Sequence, residues 1–217
     1  MKLLFATIAL AFFVAVLCEP VRSGQVPATP AGGVTDAEYR VLSAYITSEF
    51  TGDKGEHRVG HQVSKIVIGE ETQTDLDDSH IQDDDGKQTS WKKISKYLHK
   101  QAPGLQMATL DSFRYGGAHQ VSFGTLFHVP VVYELVDKAE IDAIFEKGGW
   151  WTAYYKRYPN SQGFLTLSRV GFSPDGKQAL FYAKNGCGGK CGTGTYVVME
   201  RADSGWKVLK EILIWVS

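Results

Sequence analysis

Residues 164–216, FLTLSRVGFSPDGKQALFYAKNGCGGKCGTGTYVVMERADSGWKVLKEILIWV, decide the fold. Apolar runs recur between short polar breaks, and the breaks carry turn chemistry. Pro174-Asp175-Gly176 is one such turn: proline presets φ, and glycine accepts φ > 0. Asp203-Ser204-Gly205 is another. The spacing predicts strands at 164–172, 178–183, 196–201 and 206–216, joined as a four-stranded antiparallel meander.

The chain before this meander reads differently. Thr35 and Glu38 are placed as a capping box, and Tyr39, Leu42, Ile46 and Phe50 follow at helical spacing. Gly52 is read as the stop of that helix. A short strand is expected at 64–68, a polar and acidic loop at 69–90, and helices at 91–99 and 105–115. Trp91, Ile94 and Leu98 face inward in the first of these. A further strand at 129–136 has Pro130 at its start or on an edge. Asp137 caps a helix over 138–147, and a helical segment over 150–158 ends before Pro159. The sum is an α+β domain, with N-terminal and central helices covering one face of the C-terminal meander. A cone of the nuclear-transport-factor-like type is a candidate, by element order only.

The first residues address the chain. Lys2 precedes 15 uncharged residues, Leu3 to Leu17. As a helix these span about 22 Å, short of a hydrocarbon core of about 30 Å. Residues 1–23 therefore read as an export signal, with cutting after Cys18 or Ser23, and 24–34 as a flexible linker rich in Pro and Gly. Lipidation of Cys18 is disfavoured, because Leu17 stands where a small residue should precede it. Residues 35–217 are expected to form a single domain, periplasmic or extracellular. Removing 1–23 takes away Lys2, Arg22 and Glu19, two positive charges and one negative, so the net charge moves from -1 to -2. That balance offers nothing to nucleic acid or to an anionic membrane surface. Membrane contact is expected only through an uncleaved or lipidated signal segment.

The stretch GWWTAYYKRYPNSQGFLTLSRVGFSPDGKQALFY, then CGGKCGTGTYVVMER, then GWKV and WVS, resembles a group of uncharacterised exported bacterial proteins; upstream PGLQMATLDSF also fits. The resemblance covers roughly residues 90–217. It implies a fold and no catalytic residue.

Several motifs bear on chemistry. Cys187 and Cys191 lie among glycines at 186, 188, 189, 192 and 194. The phosphate-loop pattern fails, since Lys184 stands at its first glycine and Cys191 at its Ser/Thr. Two thiols are half a zinc set, and the spacing is not that of thiol-exchange enzymes. Structural disulfide is the favoured reading; redox-active thiols and metal stay as alternatives. The acidic run at 75–86 fails the calcium-loop template, with His80 where glycine belongs and Gly86 where glutamate belongs. It reads as a solvated loop. His57 and His61 would share a helix face, but Gly52, Gly55 and Gly60 argue against a helix there. Trp150, Tyr154 and Tyr158 form one i, i+4 row on a helix, with Trp151 and Tyr155 in another. The first row is the candidate ligand surface, although aromatic rows more often make core. Lys156 and Arg157 point to water.

No cofactor is expected. The favoured function is a non-catalytic exported domain that binds a small ligand or an envelope protein. The alternatives are an enzyme of unrecognised type, with His119, Arg169 and Lys190 as residues to inspect, or a metal or redox sensor built on Cys187 and Cys191.

Overall fold

The computed structural model describes residues 33–74 and 91–217. The signal segment at 1–23, almost all of the linker at 24–34 and the acidic run at 75–86 lie outside the described residues. The described elements, in order, are α1 (Asp36–Phe50), α2 (Gly52–Val59), β1 (Lys65–Gly69), α3 (Trp91–Gln101), α4 (Met107–Gly116), β2 (Val132–Val136), α5 (Lys138–Glu146), α6 (Trp150–Arg157), β3 (Ser161–Leu167), β4 (Gly171–Phe172), β5 (Gln178–Gly186), β6 (Thr193–Ala202) and β7 (Gly205–Val216).

The meander is present as β3-β5-β6-β7, each pair antiparallel. It is the larger part of a seven-stranded mixed sheet, not a sheet by itself, because β1 pairs in parallel with both β2 and β3. The expected strand at 164–172 is broken into β3 and β4, which pair with opposite ends of β5. Ser168 keeps the ladder going across the break: its amide donates to the Tyr182 carbonyl and its hydroxyl accepts from the Tyr182 amide.

That break turns Arg169 out of the sheet and into α1. The Arg169 Nε donates to Glu38 Oε1 at 2.7 Å and its Nη2 to Oε2 at 2.9 Å, while the Val170 amide also donates to Oε1. Glu38 also completes the capping box of α1, accepting from the Thr35 amide while its own amide donates to Thr35 Oγ1. Both side chains of the pair are buried. Burial pushes the Glu38 carboxyl up, but the Arg169 guanidinium and the amides of Thr35 and Val170 outweigh it and hold the carboxyl below its ordinary value. A lowered folded-state pKa gives stability that is present above the unfolded pKa and lost as pH falls through the folded one. Urea titrations from neutral pH downward are therefore expected to show the unfolding midpoint falling below the ordinary glutamate range. A midpoint that stays flat there would count against Glu38 as the acid-sensitive group.

Helices cover both faces of the sheet, which corrects the expectation of one covered face and departs from a cone closed on one side. Alternation along β5 and β6 is the reason: side chains point to opposite faces in turn, and both sets are apolar. Ala179, Phe181, Ala183, Val197 and Met199 join α1 residues such as Leu42, Tyr45 and Ile46 in one core. Leu180, Tyr182, Tyr196 and Val198 join Ile94 and Leu98 of α3 and Leu110 and Phe113 of α4 in a second. Val67, Val136, Tyr154 and Tyr158 form a third, between the first strands and α5–α6. Parallel pairing explains the placement of that third core, because the β2-to-β3 connection must cross over β1 and does so with two helices.

The helix α2 overturns the loop expected around residue 57. A Cβ at Gly55 would stand 2.4 Å from the Phe50 carbonyl oxygen, so glycine is what lets this turn of α2 lie against the end of α1. The helix also supplies Lys54 and Arg58 to Glu49, a buried carboxylate that lacks these partners in an extended chain. Tertiary satisfaction of a buried charge outweighs the poor helix propensity of glycine.

A bulge in β3 sets the sheet's register. Lys65 pairs with Ser161 and Val67 with Phe164, so β3 carries one residue more than β1 across this step. The side chain of Gln162 stands in for the missing backbone groups. The Val67 amide donates to its Oε1 at 3.0 Å, and its Nε2 donates to the Val67 carbonyl at 2.8 Å. The next residue, Gly163, has φ 103°.

Candidate functional site

The helix pairs α3–α4 and α5–α6 sit on the same face of the sheet, since Phe164, Gly186, Tyr182 and Leu180 project to one side. On that face, against α5–α6, is a cavity of about 520 Å3. Its floor is sheet: Phe164 and Thr166 of β3, Lys184 and Gly186 of β5, and Gly69 at the end of β1. One wall comes from α5 and α6, with Lys138, Ile141, Asp142, Phe145 and Trp151. The other is the segment after β1, carrying Glu70, Glu71, Gln73 and Thr74, with Gln120.

Each wall has a local reason for its place. Segment 70–73 is held by pairing with 121–123: the Phe123 amide donates to the Glu70 carbonyl, the Thr72 amide to the Val121 carbonyl, and the Val121 amide to Thr72 Oγ1. Its end is tied to the floor, where the Gln73 amide donates to the Leu167 carbonyl and Thr166 Oγ1 donates to Gln73 Oε1 at 2.6 Å. The helix α5 starts where predicted, with Asp137 accepting from the Ala139 amide, and it places Lys138 and Asp142 as an i, i+4 ion pair at the rim. The cavity therefore lies outside the carboxyl ends of the parallel strands β1 and β2, where open sheets with crossover helices leave a crevice.

The aromatic run after Gly149 divides between core and surface. Tyr154 and Tyr158 are fully buried, so the predicted ligand row does not exist as a surface. Tyr158 donates its hydroxyl to Glu140 Oε1 at 2.7 Å, and Tyr155 donates to the Cys187 carbonyl at 2.8 Å. Trp151 lines the cavity, with its ring 5.1 Å from that of Phe145 and its edge over Gly186. Trp150 opens α6 with φ 46°, outside the helical well, and its ring is 67% exposed. Such a backbone costs a bulky residue about 1–3 kcal/mol. Its ring still stands 6.3 Å from Phe145, at the margin of the aromatic wall.

The cysteine loop is a staple. Cys187 and Cys191 are joined by a disulfide across a Cα separation of 5.3 Å, at the end of the β5–β6 hairpin. Replacing both with serine is expected to cost about 2 kcal/mol, the chain-entropy value for so small a ring. Chemical denaturation of the variant and of the oxidised wild type measures it, and a loss above about 4 kcal/mol would mean the loop does more than close a ring. A second hollow of about 310 Å3 lies beside it, lined by Val59, His61, Tyr155, Pro159, Asn160 and Cys187.

The other singled-out residues are scattered. Arg169 is consumed by Glu38, His119 and Lys190 are exposed, and none of the three lines either cavity described above. His57 contacts the Asp53 carbonyl within α2, whereas His61 lies beyond the helix cap Gly60 and contacts the Ser161 carbonyl, so the two imidazoles do not converge. Among the described residues no group of three His, Cys, Asp or Glu is placed to hold a metal ion, and no helix is long and apolar enough to cross a membrane. Glu70, Glu71, Asp142 and Phe145 were not singled out from sequence; only their convergence in space distinguishes them. Comparison of the chain with family models, curated proteins and solved structures returns no match.

Proposed function

We propose that this chain is an exported, non-catalytic binding domain, and that its ligand seat is the cleft between α5–α6 and the segment 70–74. The observation that carries this reading is the lining of that cavity: an aromatic wall and a polar wall meet over a sheet floor at the strands' carboxyl ends. Cavities of about 300–1,000 Å3 with an apolar body and a few convergent polar groups are the usual form of a small-molecule site. The disulfide supports the compartment, since such bridges persist where the surroundings are oxidising. The exported bacterial group whose motifs the chain resembles is the family to which this reading assigns it.

Asp142 is exposed on α5 and faces the cleft, so Asp142→Trp fills the opening without touching the core. A screen of polar metabolites and sugars by thermal shift is expected to find compounds that raise the melting temperature of the wild type and not of D142W. No such compound, or equal shifts in both proteins, would overturn the reading. Export is checked separately by the mass of the mature chain in a cell-envelope fraction, expected to lack residues 1–18 or 1–23.

A further inference from the structure

The lining residues specify a ligand class, and the inference rests on the cleft being the ligand seat. The charged groups at the cavity are the carboxylates of Glu70, Glu71 and Asp142 and the ammoniums of Lys138 and Lys184. Carboxylates outnumber ammoniums, and Lys138 and Asp142 already neutralise each other. A phosphate or carboxylate ligand would meet net repulsion there. An acyl chain would strip water from these charges and give nothing in exchange. A neutral ligand with both donors and acceptors can hydrogen-bond the carboxylates of Glu70 and Glu71 and the amide of Gln120 together. If that ligand also has a flat apolar face, it answers the rings of Phe145, Trp151 and Phe164.

Neutral sugars have that combination: hydroxyls around the edge and C–H groups on the ring face. The strained Trp150 then has a use. Its ring is exposed and gains little from packing, yet the chain holds it at φ 46° beside Phe145, directly after two glycines. We infer that the cleft binds a neutral oligosaccharide, one sugar unit against Phe145 and Trp151 inside the cavity and the next against the exposed face of Trp150.

The test uses the wild-type chain, Trp150→Asn, Trp150→Gly and D142W. Asparagine tolerates the left-handed region, and glycine enters it freely. A glycan array carrying neutral, acidic and amino sugars is read first, and the best glycan is then titrated by calorimetry alongside its monosaccharide. Neutral oligosaccharides are expected to dominate the array. W150N and W150G are expected to melt no lower than the wild type, to lose about tenfold in affinity for the oligosaccharide, and to bind the monosaccharide as the wild type does. D142W is expected to bind neither. Preference for acidic glycans, or undiminished oligosaccharide binding by both Trp150 variants, would overturn the inference. If no glycan binds but a different compound stabilises the wild type and not D142W, the sugar assignment falls and the cleft reading stands. If nothing binds at all, both fall.

Discussion

Arg169→Ala is expected to lower the unfolding free energy by about 3–5 kcal/mol, the cost of leaving a buried carboxylate without its partner. Glu38 is 2% exposed, and the bidentate guanidinium supplies two of its hydrogen bonds. Removing Arg169 leaves the buried carboxylate uncompensated by charge, with only the Thr35 and Val170 donors. Urea titration at neutral pH measures the loss. The same variant is expected to show a flatter acid dependence than the wild type, because the largest of the interactions that lower the Glu38 pKa has gone. Replacing both partners with apolar residues, as in Glu38→Leu with Arg169→Met, is expected to recover part of the loss, since neither charge then stays buried alone. A loss under about 1 kcal/mol in R169A would place this pair with exposed ion pairs and refute its structural role.

Gly163→Ala is the second large effect. The residue has φ 103°, and a Cβ there would stand 2.0 Å from the Gly186 carbonyl oxygen and 2.8 Å from the Cys187 Cα. Two costs of about 1–3 kcal/mol each, for backbone strain and for overpacking, give about 2–6 kcal/mol. The atoms in the way are backbone, so no rotamer change relieves them. The damage falls on the junction of the Gln162 bulge, the β3–β5 pairing and the disulfide loop. Expression yield and thermal midpoint are both expected to fall sharply. A variant that melts within a few degrees of the wild type would show that β3 and β5 can separate there without loss.

Much of the local architecture was legible because its causes are local. The capping box of α1 depends on residues three apart, and the structure shows both of its bonds. Asp137 was readable as a cap for the same reason. The β4–β5 and β6–β7 turns follow from the dihedrals of proline and glycine, and the inward positions Ile94 and Leu98 follow from helical period. Where the cause is a contact between separate elements, the chain alone was misleading. Residues 164–172 read as one strand, because nothing nearby reveals that Glu38 draws Arg169 out of it. The glycines at 52, 55 and 60 read as loop, because the buried Glu49 that recruits Lys54 and Arg58 is satisfied only in the folded chain.

The candidate site shows the same division more strongly. The aromatic cluster at 150–158 was visible, but a periodic pattern cannot tell a buried row from a displayed one, and Tyr154 and Tyr158 proved to be core. The cleft draws Phe145, Trp151, Thr166, Lys184 and Glu70 from separate elements. By itself the sequence determined the caps of α1 and α5, the two tight turns, the inward positions of α3 and the cysteine pair, each an interaction over a few residues. Only the tertiary structure decided the parallel strands, the two covered faces and the cleft, because these depend on which distant segments pair.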